Sequence, residues 1–251
     1  MFPVLLALFP LCIPQRSRRR PAPLPPKAPL ADVLIVLDPG HGGEDSGAIR
    51  GGMHEDQLNY RLAAEISQEL QKRGADVWFT VSSKALSITG VTPFVAPTDA
   101  CLTFNKAPLK HRRQSSAQEL WQRAALVRSA VKTPNKSVFF LSLHADSLES
   151  RKWWGARVYR DTRDKGECRF ARQLLARLSK AGLTYRPNGR IVPRDYGVLN
   201  PAYNPAPQKA LVEAFTISSP QDRARAHSVV WRKKVVNAVV ESVLGSLPPI
   251  P

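Results

Sequence analysis

The sequence is short of cysteine and of long apolar runs, and it has no internal repeat. Its 251 residues include three cysteines, too few for a small domain held together by disulfides. No apolar run reaches the roughly 20 residues that a membrane-spanning helix needs, so we expect no stable membrane span. No unit recurs at a fixed period, which argues against a solenoid or a propeller. With 43% hydrophobic residues, the chain has the composition of a globular domain.

Acidic residues are also scarce. The chain has 20 Asp and Glu against 37 Lys and Arg, which gives a formal net charge of +17. Such a surface favours polyanions, namely nucleic acid, anionic lipid or an acidic cell-wall polymer, without choosing among them. Charge is the only argument for nucleic acid, because the sequence shows no helix-turn-helix signature and no aromatic stacking platform. We therefore expect no nucleic-acid partner, and anionic cell-envelope polymers stay open as partners.

The N-terminal segment, residues 1–20, resembles part of a signal peptide. Residues 1–13 are almost entirely apolar, but they are too short to span a bilayer of about 30 Å. This pattern predicts an exported protein, located in the periplasm, the cell wall or the extracellular space. No basic residue precedes the run and no small-residue cleavage site follows it, so a disordered basic tail and a wrongly assigned start codon stay open.

A proline-rich linker and one folded domain follow. Residues 21–30 carry five prolines within nine residues, which predicts an extended linker. The domain is expected over residues 31–247. Within it, residues 83–117 are rich in Ser, Thr and Pro with weak periodicity, and we interpret them as an insertion or flap.

Strand-like and helix-like segments alternate through the domain. Apolar runs predict strands at 33–37, 76–81, 137–143, 155–160, 196–199 and 210–215. Helical periodicity appears at 55–72, 117–131, 165–181 and 220–244. In the closing helix we expect six valines to face inward: Val229, Val230, Val235, Val236, Val239 and Val240. This alternation predicts a single three-layer α/β domain with a mostly parallel sheet and helices on both faces.

Two histidines directly follow the two best strands. His41 lies in the sequence DPGHGG at 38–43, and His144 lies in SLHAD at 142–146. The carboxyl ends of parallel strands line the ligand crevice of an open α/β sheet, so both imidazoles are expected in one cleft. The glycines around His41 let the backbone turn sharply beside a bound group, but they also fit a tight loop without a chemical role.

Two glutamates complete the candidate site. Glu55 opens the first predicted helix, where a carboxylate is also a common response to the helix dipole. Two imidazoles and one carboxylate with an open position form a catalytic zinc arrangement, so His41, Glu55 and His144 are candidate metal ligands. Glu213 interrupts the apolar run at 210–215, where a buried carboxylate needs a partner or a chemical role. It is either a general base or the exposed end of its strand.

Four ordered stretches resemble the zinc-dependent N-acetylmuramoyl-L-alanine amidases, which remodel bacterial cell walls. They are VLDPGHGGEDSG at 36–47, GMHEDQLN at 52–59, LSLHADS at 141–147 and LVEA at 211–214. The resemblance covers about residues 33–245. It implies a six-stranded α/β sheet and one Zn²⁺ ion bound by His41, Glu55 and His144.

The resemblance also implies the reaction. It is hydrolysis of the amide between N-acetylmuramic acid and L-alanine in peptidoglycan, with metal-bound water as the nucleophile and Glu213 as general acid and base. Peptidoglycan is then the substrate, and an activator protein stays open as a partner.

The sequence departs from the family pattern after Glu213. Members usually continue with Gly-Phe and then Ser-Asn-Pro, whereas residues 215–220 are FTISSP here. This keeps open an amidase-like domain that binds peptidoglycan with weak or no catalysis. Residues 83–117 are longer than in compact members and are autoinhibitory, a substrate flap or disordered. The other histidines, His54, His111 and His227, are not expected to bind metal. Pairing of Cys101 with Cys168 stays open.

Overall fold

Strands and helices alternate along the chain, as the sequence predicts. The computed structural model describes residues 28–42, 45–83, 101–103, 116–148, 153–164, 168–185 and 189–248. The elements in chain order are β1 (Val33–Pro39), β2 (Ile49–Arg50), β3 (Met53–His54), α1 (Glu55–Gln71), β4 (Asp76–Phe79), β5 (Val81–Ser83), β6 (Cys101–Thr103), α2 (Ser116–Ala130), β7 (Ser137–Asp146), β8 (Arg157–Arg160), α3 (Arg169–Lys180), β9 (Val192–Pro193), β10 (Gln208–Thr216), α4 (Pro220–His227) and α5 (Val229–Ser246). Residues 1–20, most of the predicted linker and His111 lie outside the described residues.

Six strands form the central sheet, in the order β4-β1-β7-β10-β8-β9. β4, β1, β7 and β10 are mutually parallel. β8 runs antiparallel to β10, and β9 runs parallel to β8. The prediction of a mostly parallel six-stranded sheet is therefore confirmed. The carboxyl ends of β1, β7 and β10 meet at one edge, and we call this the carboxyl edge.

Helices cover both faces of the sheet and give three layers. Val33, Ile35 and Leu37 of β1 pack in the larger apolar cluster with α1, α3 and α5. Leu34 and Val36 point to the opposite face and pack in a second cluster with α2. This division follows from the two-residue period of a strand, because both faces of a central parallel strand are buried. The predicted helices on both faces are confirmed.

The prediction of a strand at 196–199 is wrong. Residues Gly197–Leu199 form one 3-10 turn, and the edge strand is instead the two-residue β9. A four-residue apolar run does not distinguish a strand from a helical turn by periodicity. The turn places Tyr196 and Gly197 beside the carboxyl edge.

The predicted closing helix is two helices. Ser228, with an extended backbone, separates α4 from α5. The buried Arg232 side chain donates hydrogen bonds to the carbonyl oxygens of Ala226 and His227, at 2.8 and 2.7 Å, and so satisfies the end of α4. The expectation that Val229 and Val230 face inward is wrong: they are 66% and 67% exposed, because they form the first turn of α5 before it reaches the core. The other four valines are buried, namely Val235, Val236, Val239 and Val240.

Part of the predicted insertion is described. β5 pairs with β6 in a small antiparallel ladder, and α2 begins at Ser116. Residues 84–100 and 104–115 lie outside the described residues, so the proposed roles of the insertion stay predictions. In the part of the chain that the structure describes, no helix has the length and apolar character needed to cross a membrane.

Candidate metal centre and active site

The four predicted site residues lie together at the carboxyl edge. His41 follows β1 by two residues, and Glu55 is the first residue of α1. His144 lies within β7, which continues to Asp146 and does not end at residue 143 as the sequence suggested. Glu213 lies in β10 directly opposite His144. His41 and His144 therefore lie in one cleft, as the strand-end argument predicts, and their chemical roles stay predictions.

His41, Glu55 and His144 form one cluster of ligand atoms. Each offers a nitrogen or oxygen, and these atoms lie within 4.8 Å of one another. The Glu55 Oε1 atom is 3.1 Å from His41 Nε2 and 3.1 Å from His144 Nδ1. The two imidazole rings are 5.0 Å apart between centroids, at an angle of 77°. Two imidazoles and a carboxylate that converge in this way fit a divalent transition metal such as zinc.

The glycine loop lets the backbone pass close to these side chains. A Cβ atom at Gly40 would lie 2.2 Å from His144 Nε2, and one at Gly47 would lie 2.7 Å from Glu55 Oε2. His41 itself has a φ of +65°, which is rare for a residue with a side chain and is typical of strained functional loops. The loop therefore needs glycine because its backbone lines the cluster.

Electrostatics within the cluster favour a positive charge at its centre. Burial alone would lower the pKa of His41, but hydrogen bonds with the carboxylates of Asp45 and Glu55 raise this pKa to about 10. Burial would raise the pKa of the Glu55 carboxyl, yet the two imidazoles hold this pKa below its usual range. A divalent cation supplies the positive charge that these carboxylates favour.

Glu213 lies in the same cavity in a different environment. The cavity has a volume of about 260 Å³ and is lined by His41, His144 and Glu213, among others. Glu213 is 8% exposed, and its Oε2 atom has no hydrogen-bond partner within the described part of the chain. Burial raises the pKa of Glu213 well above its usual range, and the charges of Asp146 and Glu55 raise it further. The expectation that Glu213 is a buried carboxyl is met, and the alternative of an exposed strand end is wrong.

Two supporting side chains were missed by the sequence analysis. Asp45 Oδ2 lies 2.9 Å from His41 Nδ1 and fixes the orientation of the imidazole. Arg123 of α2 reaches the loop and donates hydrogen bonds to Asp38 Oδ1 at 2.7 Å, to the Pro39 carbonyl at 2.9 Å and to the His41 carbonyl at 3.0 Å. The sequence gives a weak signal for each residue. Asp45 lies four residues after His41, and Arg123 is a charged residue on the side of α2 that faces the core.

The remaining histidines and the described cysteine lie outside the cluster. His54 precedes α1 and His227 ends α4, and neither is among the converging ligand atoms found in the described residues. Cys168 is a free thiol that donates a hydrogen bond to the Lys209 carbonyl at 3.2 Å.

Sequence comparison gives one family and several relatives. A family profile described as N-acetylmuramoyl-L-alanine amidase matches residues 35–244. A germination-specific N-acetylmuramoyl-L-alanine amidase of Bacillus subtilis (strain 168) is 24% identical over 243 residues, which cover 97% of this chain and 90% of the relative. The amidase LytC of the same organism is 26% identical over 221 residues, covering 87% of this chain and 36% of LytC. A probable cell wall amidase LytH of Staphylococcus saprophyticus is 28% identical over 225 residues, covering 87% and 60%.

Structural comparison gives the same fold. The CwlD amidase of Clostridioides difficile, solved in complex with the GerS lipoprotein, superposes with a TM-score of 0.62 at 17% identity, covering 84% of this chain and 96% of that one. The amidase Ami1 of Mycobacterium smegmatis gives a TM-score of 0.62 at 20% identity, covering 87% and 99%. At these identities the likeness shows the α/β fold.

Proposed function

The chain belongs to the N-acetylmuramoyl-L-alanine amidase family and is a hydrolase of that family, and from this premise we propose a zinc-dependent mechanism for it. The bond cut is the amide that joins N-acetylmuramic acid to L-alanine in peptidoglycan. We assign one zinc ion per chain to His41, Glu55 and His144, whose ligand atoms lie within 4.8 Å of one another. When bound, zinc supplies a Lewis acid that polarises a carbonyl and lowers the pKa of water.

Asp45 positions one of the ligands. Its contact with His41 Nδ1 leaves Nε2 as the nitrogen that faces Glu55 and the metal position. A carboxylate that holds the far nitrogen of a ligating histidine fixes the ring and raises its basicity. Asp45 is therefore a positioning residue in this proposal.

Glu213 is the proposed general base and acid. It takes a proton from the attacking water and then returns it to the nitrogen of the leaving L-alanine amine. A carboxyl that shuttles a proton must not be held in an ion pair, and the Oε2 atom of Glu213 has no partner among the described residues. The raised pKa of this carboxyl, caused first by burial, also favours its holding the proton between the two transfers.

One observation carries the proposal. The buried Glu213 carboxyl lines one cavity of about 260 Å³ together with His41 and His144, and both imidazoles contact the Glu55 carboxylate. A metal-assisted hydrolase needs both parts within reach of one substrate bond. This arrangement also disfavours a domain that only binds peptidoglycan, since binding alone does not require an unpaired buried carboxyl beside a ligand set.

The proposed substrate also indicates where in the cell the protein acts. Peptidoglycan lies outside the cytoplasmic membrane, so we propose that the protein is exported, with residues 1–20 as the export signal and the basic surface close to anionic envelope polymers. N-terminal sequencing of the protein recovered from the cell envelope tests this proposal. A mature form beginning after residue 20 supports it, and an intact N-terminus on a protein found in the cytoplasm contradicts it.

The reaction is tested by digesting purified peptidoglycan with zinc-loaded protein and with chelator-treated protein. We expect release of intact stem peptides that begin at L-alanine, identified by mass spectrometry, from the loaded protein alone. Cleavage within the stem peptide would assign a different bond, and equal release after chelation would exclude the metal.

The residue roles are tested by three variants. Glu213→Gln should retain about one zinc per chain and lose about 10²- to 10⁴-fold in turnover. Glu241→Gln, an exposed carboxylate of α5, is the matched control and should retain the wild-type rate. His144→Ala should lose zinc and activity together. Near wild-type turnover in Glu213→Gln would show that the assigned acid and base is wrong.

A further inference from the structure

An exposed aromatic surface lies beside the carboxyl edge. We define the aromatic platform as Trp153, Trp154 and Tyr185. The Trp153 and Tyr185 side chains are 41% and 44% exposed, and their ring centroids are 5.1 Å apart. Trp154 meets Tyr185 edge-on at 5.6 Å and is covered by the Arg225 guanidinium, 4.3 Å from its ring centroid. Exposed large aromatic side chains that cluster in this way are typical of ligand-binding surfaces.

The platform is held in place by the backbone at Gly155. This residue has a φ of +88°, and a Cβ atom there would lie 2.7 Å from the Leu183 carbonyl oxygen and 2.8 Å from the Tyr185 nitrogen. The next residue, Ala156, donates its N–H to the same Leu183 carbonyl at 2.7 Å. Glycine therefore allows the two tryptophans to come directly against the segment that carries Tyr185.

The segment around Gly155 is also linked to the end of β10, the strand that carries Glu213. The Asp222 Oδ2 atom accepts hydrogen bonds from the backbone N–H groups of Gly155 and of Thr216, the last residue of β10. Asp222 is fully buried, so this link is shielded from water. The platform and Glu213 therefore belong to one rigid arrangement of strand ends.

The platform lies within reach of a polymer bound at Glu213. Because β8 is antiparallel to β10, its first residue, Arg157, pairs directly with Glu213. The two backbones are about 4.8 Å apart, and the four residues from Arg157 to Trp153 span at most about 14 Å. The Arg157 guanidinium forms an ion pair with Asp146 and lies 5.9 Å from the Trp153 ring centroid, so one side chain contacts both the end of β7 and the platform.

We propose that the exposed rings of Trp153 and Tyr185 bind the glycan strand of peptidoglycan, as a sugar-stacking subsite beside the muramic acid whose amide is cut. The inference rests on the proposed function for the identity of the polymer. A pyranose ring presents an apolar face of C–H groups, which packs against an aromatic ring, and the Tyr185 hydroxyl offers a polar contact at the rim. The short path from Glu213 through its strand partner Arg157 to the Trp153 ring favours a ligand that is covalently part of the substrate over a separate partner.

Binding to denuded glycan strands tests the subsite without catalysis. Such strands carry no stem peptides, so they contain no bond for the enzyme to cut. We expect Trp153→Ala and Tyr185→Ala each to weaken binding by about tenfold, equivalent to about 1.4 kcal/mol. Tyr203→Ala removes an equally exposed ring whose backbone contacts the far end of α2, and it should bind as the wild type does. Trp153→Phe, which keeps a ring, should recover most of the affinity and excludes misfolding as the cause.

Kinetics separate the subsite from the proposed function. On polymeric peptidoglycan the two alanine variants should lose about tenfold in kcat/KM, while on a muramoyl peptide with a single sugar they should stay within about twofold of the wild type. Unchanged strand binding and unchanged polymer kinetics in both variants would overturn the subsite and leave the amidase function intact. If the wild type cleaves neither substrate, the proposed function fails, and ring-dependent strand binding still supports a glycan site.

A lipid surface is the competing occupant. Vesicles of anionic phospholipid provide the probe, since the chain is basic. If Trp153→Ala lost vesicle binding while strand binding stayed unchanged, the platform would be a membrane contact and the proposal would be wrong. We expect vesicle binding to respond equally to Trp153→Ala and Tyr203→Ala.

Discussion

Replacing Arg123 by leucine should destabilise the protein strongly, although Arg123 binds no metal. The guanidinium is 4% exposed and donates hydrogen bonds to Asp38 and to the carbonyls of Pro39 and His41. Leucine would leave Asp38, which is 2% exposed, as a buried carboxylate whose remaining donors among the described residues are the hydroxyls of Thr80 and Ser142. Removing one partner of a buried ion pair costs about 3–5 kcal/mol, so the free energy of unfolding should fall by that amount.

The control lies one and a half turns along the same helix. Arg128 lies near the surface and donates a hydrogen bond to the Tyr203 carbonyl. Arg128→Leu should change the free energy of unfolding by less than about 1 kcal/mol. Urea unfolding, followed by circular dichroism at neutral pH, measures both variants against the wild type. If Arg123→Leu proved as mild as Arg128→Leu, the reasoning about a buried pair would be refuted.

The pH dependence of the same pair adds a second test. Burial would raise the pKa of Asp38, but the charge and hydrogen bonds of Arg123 hold it below its ordinary value. In the wild type this pair therefore contributes stability above about pH 3.9, the unfolded value, and loses it as the pH falls through the folded pKa. Without Arg123, burial raises the pKa of Asp38, and protonation then relieves the unpaired charge. The difference in stability between variant and wild type should therefore narrow as the pH falls from 7 towards 4.

Three further predictions follow from the backbone and the surface. Gly40→Ala should weaken zinc binding by at least about tenfold in a metal titration, because the alanine Cβ atom would lie 2.2 Å from the His144 imidazole. An unchanged zinc affinity would contradict the assignment of His144 as a ligand. Gly155→Ala should lower the free energy of unfolding by about 1–3 kcal/mol more than Gly182→Ala does. Both glycines have positive φ, but a Cβ atom at Gly155 would meet backbone atoms, whereas one at Gly182 would meet nothing within 4 Å. Equal losses in the two variants would show that the close backbone approach at Gly155 is not a constraint. Val230→Ser should change stability by less than about 0.5 kcal/mol in urea unfolding, whereas a core-like loss of 2 kcal/mol or more would show that this valine is buried.

Much of the architecture follows from local pattern in the sequence. The apolar runs of β1 and β7 and the four-residue spacing of α1 predict their elements, because both faces of a central strand and one face of a helix must be buried. The position of His41 and His144 near strand ends then places them together, because parallel strands share one carboxyl edge. The position of Glu55 is predictable for a similar reason, because Glu55 is the first residue of α1, and this helix begins beside the two histidines.

The misses depend on contacts between distant parts of the chain. No proline or glycine lies near Ser228, and the break between α4 and α5 is stabilised by the later Arg232 side chain. Val230 is apolar yet exposed, because helix periodicity does not say where a helix first touches the core. Arg123 contacts Asp38 although the two residues are 85 positions apart in the sequence, and a local sequence pattern does not reveal a contact at that separation.

The place of β10 in the sheet has a consequence for the order in which the site is assembled during folding. Among the described strands this one is the last in the sequence, yet it lies between β7 and β8 and alone joins β8 and β9 to the others. Glu213 lies on β10, so a chain in which β10 has not yet paired with β7 lacks the proposed acid and base beside His144. Parallel pairing of strands so far apart in the chain forms late in folding, because loop closure precedes it. If Glu213 has its proposed role, hydrolysis therefore requires the pairing of two strands that are distant in the sequence.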